Sequence, residues 1–342
     1  GVTVTSGAAL EIQNGITVGA EALSIAGIGI SSTGALRNIS GTNTWGGLIT
    51  LTANATIASD AGTLNLNVAS GNALTGTFNT TFDGAGNITV ADPIATSTGA
   101  VTKAGAGTLT LSGTNTFTGV TTITAGILSV GTIGNGGSAG NLGQASNAAA
   151  NLVLSGGTLQ YTGATASTNR AFTLTNNTLS SIDVSTGGTT LTISGAAAST
   201  TGGLEKIGAG TLLLSGTNAY TDATIITAGT LTLGSATTLD NTSQIWLNGG
   251  TLKSGATTGF SETMAELDLF ENSTLALGTG SHTLTFAASN NEVWTSGKML
   301  TITGWTGGYD GTASATAGRI FIGSSASGLT AAQVAQIQFF DG

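Results

Sequence analysis

Two segments of the chain are near copies of each other. Residues 103–131 read KAGAGTLTLSGTNTFTGVTTITAGILSVG, and residues 206–234 read KIGAGTLLLSGTNAYTDATIITAGTLTLG. The copies have equal length, and 19 of their 29 aligned positions are identical, with no insertion or deletion. Internal repetition of this kind is typical of solenoid proteins, in which each unit stacks on the next.

Each copy contains two runs in which apolar residues alternate with Thr or Ser, as at Leu109 and Leu111. Such alternation predicts β-strands with one buried face. Between the runs lies the sequence Ser-Gly-Thr-Asn, at 112–115 and again at 215–218. Because Gly and Asn tolerate left-handed backbone angles at low cost, this sequence predicts a corner between two strands.

The predicted repeat motif has matching positions in both copies. Phe117 and Tyr220 match each other, and each is expected to pack as a core aromatic beside its corner. The motif residues of the first copy are Gly105, Gly107, Leu109, Leu111, Gly113, Asn115, Phe117, Ile123 and Gly126. Those of the second copy are Gly208, Gly210, Leu212, Leu214, Gly216, Asn218, Tyr220, Ile226 and Gly229.

The repeat resembles the autotransporter-associated β-strand repeat, also called the passenger-associated transport repeat. Its pattern is roughly G-x-G-T-L-x-L-S-G-x-N-T-[YF]-x-G-x-T-x-I-x-x-G-T-L-x-x-G, and both copies fit it over nearly their whole length. Ile127 replaces a Thr of the pattern, and Asp222 and Ala223 replace Gly119 and Val120 of the other copy. The resemblance implies an all-β fold, a right-handed single-stranded parallel β-helix, in a secreted, surface or matrix protein. It implies no catalytic residues and no cofactor.

Composition narrows the classes of function. Hydrophobic residues make up 39% of the chain and charged residues 7%, and there are 55 Gly, one Pro and no Cys. Long helices are therefore nearly excluded, and a disulfide framework is absent. The net charge of −9 without a basic cluster argues against nucleic acid and anionic membranes as partners. No apolar run reaches about 18 residues, so we expect no membrane insertion.

Strand-like segments continue outside the two copies, so the sequence predicts one continuous β-solenoid domain over residues 1–342. Its predicted parts are repeat units at about 88–190 and 191–290 and a C-terminal closing region at about 291–342. A period of about 20–25 residues predicts roughly 14 to 17 rungs. The segment from Gly131 to Gly143 is expected to be an inserted loop, and Ser40–Trp45 a weaker third copy of the corner.

The two ends carry different signals. Strand-like alternation begins at Val2, with no initiator Met and no leader, as expected after signal-peptide removal or in a shortened chain. Near the other end, residues 299–302 and 319–322 predict the last strands. Thr330 to Gln333 form a capping-box pattern ahead of Val334 and Ile337 at helical spacing, which predicts one short helix. The phrase GLTAAQVAQIQF is also similar to the C-terminal element that closes many solenoids with this repeat. The chain stops before any membrane β-barrel, so export through a barrel of its own is not expected.

Few side chains are candidates for catalysis or metal binding. His282 is the single histidine and is expected to be structural, since a lone imidazole cannot form a multi-histidine metal site. The acidic cluster Glu262, Glu266, Asp268 and Glu271 is expected to be a solvated loop. The basic residues occur singly and not in catalytic groups: Arg37, Lys103, Arg170, Lys206, Lys253, Lys298 and Arg319. The glycines at 105–107 and 208–210 lack a following GK[ST] and are expected to be turns. The sequence thus favours a protein that is not an enzyme.

Two functions remain open, with a remote third. The first is an extracellular filament or matrix subunit that assembles head to tail by stacking its end rungs. The assembly residues would be Val2, Val4, Leu10 and Ile12 at one end, and Val334, Ile337, Phe339 and Phe340 at the other. The alternative is a monomeric surface adhesin or passenger segment whose loops contact a glycan or a cell surface. A polysaccharide-degrading enzyme using Glu266 or His282 is the remote third.

Overall fold

Parallel β-strands account for nearly all regular structure. The structure, a computed structural model, describes residues 1–255, 259–278, 280–305 and 318–340. The strands stack as a β-solenoid of about 13 turns with one short C-terminal helix, which confirms the predicted fold class. The number of turns is slightly below the expected 14 to 17, because loops lengthen several turns beyond 25 residues.

Contacts between Cα atoms divide the chain into two compact units, Gly1–Phe172 and Thr173–Gly342. The predicted domain organisation stays a prediction: one domain over 1–342, with repeat units at 88–190 and 191–290 and a closing region at 291–342. The two units are called unit 1 and unit 2.

Unit 1 contains nineteen strands and two short 3₁₀ turns among its residues. The strands are β1 (Val2–Val4), β2 (Leu10–Gln13), β3 (Thr17–Val18), β4 (Leu23–Gly27), β5 (Leu36–Ser40), β6 (Thr42–Trp45), β7 (Ile49–Ser59), β8 (Thr63–Leu66), β9 (Leu74–Thr75), β10 (Thr80–Asp83), β11 (Asn87–Val90), β12 (Ile94–Ala95), β13 (Val101–Lys103), β14 (Thr108–Leu111), β15 (Thr121–Ile123), β16 (Ile127–Val130), β17 (Leu152–Leu154), β18 (Thr158–Tyr161) and β19 (Ala166–Thr168).

Three groups of parallel strands enclose the core of unit 1. The first joins β1, β4, β7, β9 and β12. The second joins β2, β5, β7, β10, β13, β15 and β17. The third is a separate sheet that joins β3, β6, β8, β11, β14, β16 and β18. Strand β7, with 11 residues, links the first two groups into one sheet, because Ile49–Leu51 pair with the first group and Ile57–Ser59 with the second.

Successive turns place equivalent side chains directly above one another. In the third sheet an inward column runs through Leu64, Ile88, Leu109, Leu128 and Leu159, each at most 2% exposed. One turn is longer than its neighbours, since Thr121 of β15 pairs with Leu152 of β17. The extra residues lie after Val130, where the sequence predicts the inserted loop.

Unit 2 contains sixteen strands and one α-helix among its described residues. These are β20 (Thr173–Leu174), β21 (Leu179–Val184), β22 (Thr190–Ile193), β23 (Gly203–Ile207), β24 (Thr211–Leu214), β25 (Thr224–Ile226), β26 (Thr230–Leu233), β27 (Ile245–Asn248), β28 (Thr251–Ser254), β29 (Ser261–Met264), β30 (Leu267–Glu271), β31 (Ser273–Ala276), β32 (Thr283–Phe286), β33 (Leu300–Thr303), β34 (Arg319–Ile322), α1 (Ala331–Val334) and β35 (Ile337–Phe340).

Three parallel sheets also form unit 2. The tryptophan sheet, named for Trp246, joins β21, β23, β25, β27 and β30. The threonine sheet joins β22, β24, β26, β28, β31, β33 and β35. A three-stranded sheet joins β29, β32 and β34.

The threonine sheet shows how alternation in sequence becomes two columns in space. Its inward column runs through Leu191, Leu212, Leu231, Leu252, Leu275, Ile302 and Phe339. Its outward column runs through Thr190, Thr211, Thr230, Thr251, Thr274 and Thr301, all half-buried. Burying each leucine removes apolar surface from water and contributes about 1.5–3 kcal/mol.

The predicted C-terminal helix is present, but it is shorter than the sequence suggests. The Thr330 side chain accepts a hydrogen bond from the Gln333 amide, and Gln333 closes the capping box. The helix ends at Val334. Ile337, which the sequence places at helical spacing, instead begins β35 and pairs with Leu300. The correction has a physical reason, because pairing with β33 satisfies more backbone groups than one further helical turn would.

Truncation of an inward leucine should destabilise unit 2 far more than truncation of its outward neighbour. We expect Leu231→Ala, at a residue 0% exposed, to lower the free energy of unfolding by about 2–5 kcal/mol, because it leaves a cavity between two rungs. Thr230→Ala is the matched control and should cost less than about 1 kcal/mol. Guanidinium unfolding measures both; equal losses would contradict the assigned register.

Candidate functional site

The corner asparagines of the repeat join neighbouring rungs through their side chains. Asn115 is 0% exposed; its Oδ1 accepts the Ile94 amide at 2.8 Å, and its Nδ2 donates to the Asn141 carbonyl at 2.8 Å. Asn218 is 1% exposed; its Oδ1 accepts the Ala197 amide at 2.8 Å, and its Nδ2 donates to the Thr238 carbonyl at 2.8 Å. Each amide therefore satisfies backbone groups that the corner removes from water.

These corners form without the left-handed backbone angles that Gly and Asn tolerate. Neither Asn115 nor Asn218 has a positive φ, and neither does the glycine two residues before each. Those glycines are required by close packing, since a Cβ on Gly113 would lie 2.5 Å from the Asp92 carbonyl carbon. The motif glycines with positive φ are Gly105, Gly126, Gly208 and Gly229.

The remaining motif residues line the core. Leu109, Leu111, Ile123, Leu212, Leu214 and Ile226 are all 0% exposed. Phe117 and Tyr220 are also 0% exposed. The Tyr220 hydroxyl lies 2.8 Å from the Thr224 hydroxyl. Burial raises the pKa of Tyr220, and the hydrogen bond to Thr224 lowers it in part. The glycines Gly107 and Gly210 leave no room for a Cβ, which would meet backbone atoms of the preceding rung.

Sequence reasoning missed a second pair of corner residues, Lys103 and Lys206. Their exposures are 3% and 0%. The Lys103 Nζ donates to the carbonyls of Ala104, Gly105 and Ala125, the last two at 2.8 and 3.3 Å. Lys206 repeats this contact, with Nζ 2.8 Å from the Gly208 carbonyl and 3.2 Å from that of Ala228. The identical first residue of the two copies was the signal that could have identified them.

Burial lowers the pKa of both lysines to about 8. Asp83 lies near Lys103 and Asp183 near Lys206, and each carboxylate partly opposes the shift. Each ammonium interrupts an inward column, since Lys103 stacks between Phe82 and Ile123. The two lysines therefore bridge rungs and are not available to ligands on the surface.

The weaker third corner at Ser40–Trp45 uses its asparagine in the same way. Asn43 is 0% exposed, and its Oδ1 accepts the Ile16 amide at 2.7 Å. Its Nδ2 donates to the Ser40 carbonyl at 2.8 Å and to the Asn38 side chain. Trp45 is 3% exposed and pairs with Leu66.

The loop predicted at Gly131–Gly143 is anchored by hydrogen bonds from buried side chains. Arg170 is 3% exposed, and its guanidinium donates to the carbonyls of Gly134 at 3.0 Å and Gly143 at 2.7 Å. Asn141 is 5% exposed and donates to the Gly113 carbonyl at 3.0 Å. This loop therefore has a fixed backbone and presents residues such as Asn135 and Ser138 to solvent.

The acidic cluster is not the solvated loop that the sequence suggests. Glu262 is 1% exposed in β29, and its carboxylate accepts the amides of Thr238 at 3.0 Å and Leu239 at 2.6 Å. Asp268 is 4% exposed in β30 and accepts the Val293 amide at 2.9 Å. Burial raises the pKa of both carboxyls, against these hydrogen bonds. Alternating strands explain the correction, because they bury side chains that a loop would leave in water.

The other members of the cluster do not combine into a catalytic pair. Glu266 accepts a hydrogen bond from Gln244 at 3.4 Å, and Glu271 forms a salt bridge with Lys298. His282 is 0% exposed, and its ring packs edge-on against Phe260 with centroids 4.9 Å apart. In the described part of the chain, no three His, Cys, Asp or Glu side chains come together as a metal site. No helix among these residues is long and apolar enough to span a bilayer.

The predicted assembly residues differ in exposure. At the start of unit 1, Val2 is 43% exposed, Val4 and Ile12 are buried, and Leu10 is half-buried. Near the end of unit 2, Val334 is 55%, Phe339 46% and Phe340 61% exposed, and Ile337 is half-buried. The apolar surface is therefore larger in the second set.

The last turn of unit 2 is partly capped. The Gln333 side chain donates to the carbonyls of Ser289 at 2.9 Å and Glu292 at 3.3 Å. The Gln336 side chain donates to those of Thr295 at 2.8 Å and Lys298 at 2.9 Å. Two glutamine side chains thus satisfy four backbone carbonyls in the segment that comes after β30, the last strand of the tryptophan sheet. Satisfying exposed backbone groups in this way is what a capping element does.

Two strands of that turn remain open along one edge. Among described strands, β34 pairs with β32 alone and β35 with β33 alone. Phe339 is the last described member of the inward column, and its ring is 46% exposed. Beside it lies an apolar cavity of about 500 Å³. Its lining includes Leu300, Ile302, Trp305, Ile320, Ile322 and Phe339.

Comparison with known proteins agrees with the corner geometry. The Passenger-associated-transport-repeat family matches residues 101–130 and 204–233. Two segments of the chain are therefore similar to this repeat. They include both buried lysines and both corner asparagines, so each matched segment contains side chains that join rungs by hydrogen bonds.

One similar protein covers a short segment. The chain is 52% identical over 62 residues to "Adhesin BmaC autotransporter" of Brucella suis biovar 1 (strain 1330). The matched segment covers 18% of this chain and 2% of the adhesin. No solved structure matches the chain.

Removing a buried ammonium from a repeat should weaken its corner. We expect Lys103→Met to lower the free energy of unfolding by about 1–3 kcal/mol, because three buried carbonyls lose their donor. Lys253→Met, at a half-buried position in β28, is the matched control and should have little effect. Denaturant unfolding decides; an unchanged or stabilised Lys103→Met protein would contradict this role.

The same lysines predict a rise in stability with alkaline pH. Their folded-state pKa of about 8 lies below the usual lysine pKa of 10.5, so the unfolded chain binds more protons between these values. Stability should then increase from pH 8 towards pH 10, by at most about 1.4 kcal/mol per pH unit for each lysine. Above pH 10 the raised pKa of Tyr220 opposes the trend. Unfolding series at several pH values test this; a slope equally steep after Lys103→Met and Lys206→Met would contradict it.

Proposed function

We propose that this chain is a non-enzymatic scaffold segment of a secreted or cell-surface protein of the autotransporter passenger type. The observation that supports this most is the coincidence of the two passenger-associated-transport repeats with the hydrogen-bonded corners of a β-solenoid. The similarity to an autotransporter adhesin points in the same direction.

A structural role also agrees with how the polar side chains are used. Lys103, Lys206 and Arg170 bind backbone carbonyls, and Glu262 binds backbone amides. Each is at most 3% exposed. Groups committed to the fold in this way are not placed to act as general acids or bases on a bound glycan.

We further propose that copies of the chain assemble head to tail by stacking their end rungs. Strands β34 and β35 would pair with strands of a second copy, and Phe339 would be covered by its inward side chains. Support comes from the open edges, the exposed Phe339 and the adjoining apolar cavity. Because α1 and the glutamines cover the third side, the acceptor surface is two strands wide.

A second candidate is a monomeric adhesin segment, favoured by the loop after Val130. Its backbone is fixed by Arg170 and Asn141. A preordered loop loses little conformational entropy on binding, which suits contact with a glycan or a cell surface.

Light scattering after size-exclusion chromatography distinguishes the two. Stacking predicts a mass that grows with concentration, and Phe339→Asp should abolish this growth because a charge would face the apolar interior of the next rung. Gln338→Asp is the matched control, since it adds the same charge on the outward side of β35. Its mass should grow as in the wild type.

Two results would argue against stacking. A wild-type chain that stays monomeric at high concentration would favour the adhesin candidate. Growth unaffected by Phe339→Asp, or by deletion of residues 1–12, would show that assembly uses another surface.

A further inference from the structure

The outer face of the tryptophan sheet differs from that of the threonine sheet. Where the latter exposes a column of threonines, the former has a central outward column of Ser181, Glu205, Ile225, Trp246 and Asp268. Both faces belong to unit 2, so the contrast is one of side chains and not of backbone geometry.

Apolar side chains form a strip along this face. Trp246 and Phe270 pack with ring centroids 5.6 Å apart at 59°. Ile207 is a further half-buried residue on the outward side, and Ile225 is 9% exposed between Glu205 and Trp246. Trp246, Phe270 and Ile207 are half-buried and stay partly open to solvent. Clusters of partly exposed aromatic and branched side chains are a common mark of interaction surfaces.

Carboxylates surround the strip. Glu205 and Asp268 belong to the outward column, Glu266 and Glu292 lie near Asp268, and Asp222 lies beside Gly203 at the start of β23. Glu205 accepts the hydroxyls of Ser181 at 2.8 Å and Thr227 at 2.7 Å. None of the five forms a salt bridge with a described lysine or arginine.

The negative charge of the strip lacks a positive counterpart within the sheet. Lys206 is the single basic residue of its five strands, and it points inward. The pKa of Asp268 is raised, chiefly by burial and further by the charges of Glu292 and Glu266. A cation placed over the strip would relieve this repulsion, whereas anionic membranes and nucleic acids would increase it.

We propose that this acidic aromatic strip binds a basic amphipathic peptide segment of a partner protein. Apolar side chains of the partner would cover Ile207 and Phe270, and its lysines or arginines would contact the carboxylates and the Trp246 ring. A neutral glycan could stack on the tryptophan, but it would leave the charge uncompensated. This binding does not depend on rung stacking or on the loop after Val130.

Two synthetic peptides test the inference on the full chain. One has ten residues in which Lys and Leu alternate, and the other has Lys and Ser in the same pattern. Calorimetric titration at low salt should show binding of the Lys/Leu peptide and at least about tenfold weaker binding of the Lys/Ser peptide. Binding of equal strength would overturn the proposal, because it would reflect net charge alone.

Variants locate the binding on the strip. We expect Trp246→Ala and the pair Glu205→Gln/Glu266→Gln each to weaken Lys/Leu binding by about three- to thirtyfold. Trp246→Leu keeps the apolar bulk if the alanine variant fails to fold, and it should still weaken binding. Thr230→Ala/Thr251→Ala on the threonine sheet should leave it unchanged. Affinity insensitive to both strip changes, or equally reduced by the threonine pair, would overturn the assignment.

Discussion

The structure depends on the stacking of inward side chains between successive rungs. Each strand pairs in register with the equivalent strand of the next turn, so one apolar position per strand becomes a continuous buried column. Most of its favourable energy is burial of leucine and isoleucine, and the parallel ladder satisfies the backbone groups that burial removes from water. Each rung is therefore stabilised mainly by its contacts with the rungs next to it, as in other solenoids.

Corners are the weak points of such a stack, because the chain leaves the ladder there while staying partly buried. The repeat places an asparagine amide at one corner and a lysine ammonium at another. Both groups carry several hydrogen-bond donors on a side chain, so one residue can replace several lost backbone partners. A buried lysine is costly unless its hydrogen bonds are satisfied, and the three carbonyls around Lys103 meet that requirement.

Function in such a fold is carried by surfaces and edges. The outer face of the threonine sheet carries a regular column of threonines, the tryptophan sheet carries an acidic aromatic strip, and β34 and β35 expose an edge. These features differ in chemistry, and the proposed stacking, display and partner binding each depend on a different one of them or on the loop after Val130. The proposed functions are thus separable by substitutions at different places on the chain, in the loop of unit 1 and on the sheet faces and edges of unit 2.

The sequence by itself determined the repeat, the strand alternation and the solenoid class, because these depend on local periodicity and on a motif seen twice. It also located the inserted loop and the capping box at Thr330. Tertiary structure alone decided which polar residues are buried: Lys103, Glu262 and Asn115 each bind at least one partner on a neighbouring rung, 20 or more residues away in sequence. It likewise assigned Ile337 to a strand, since the partner strand β33 lies far outside any local window. Contacts between rungs are long-range in sequence, and local patterns do not encode them.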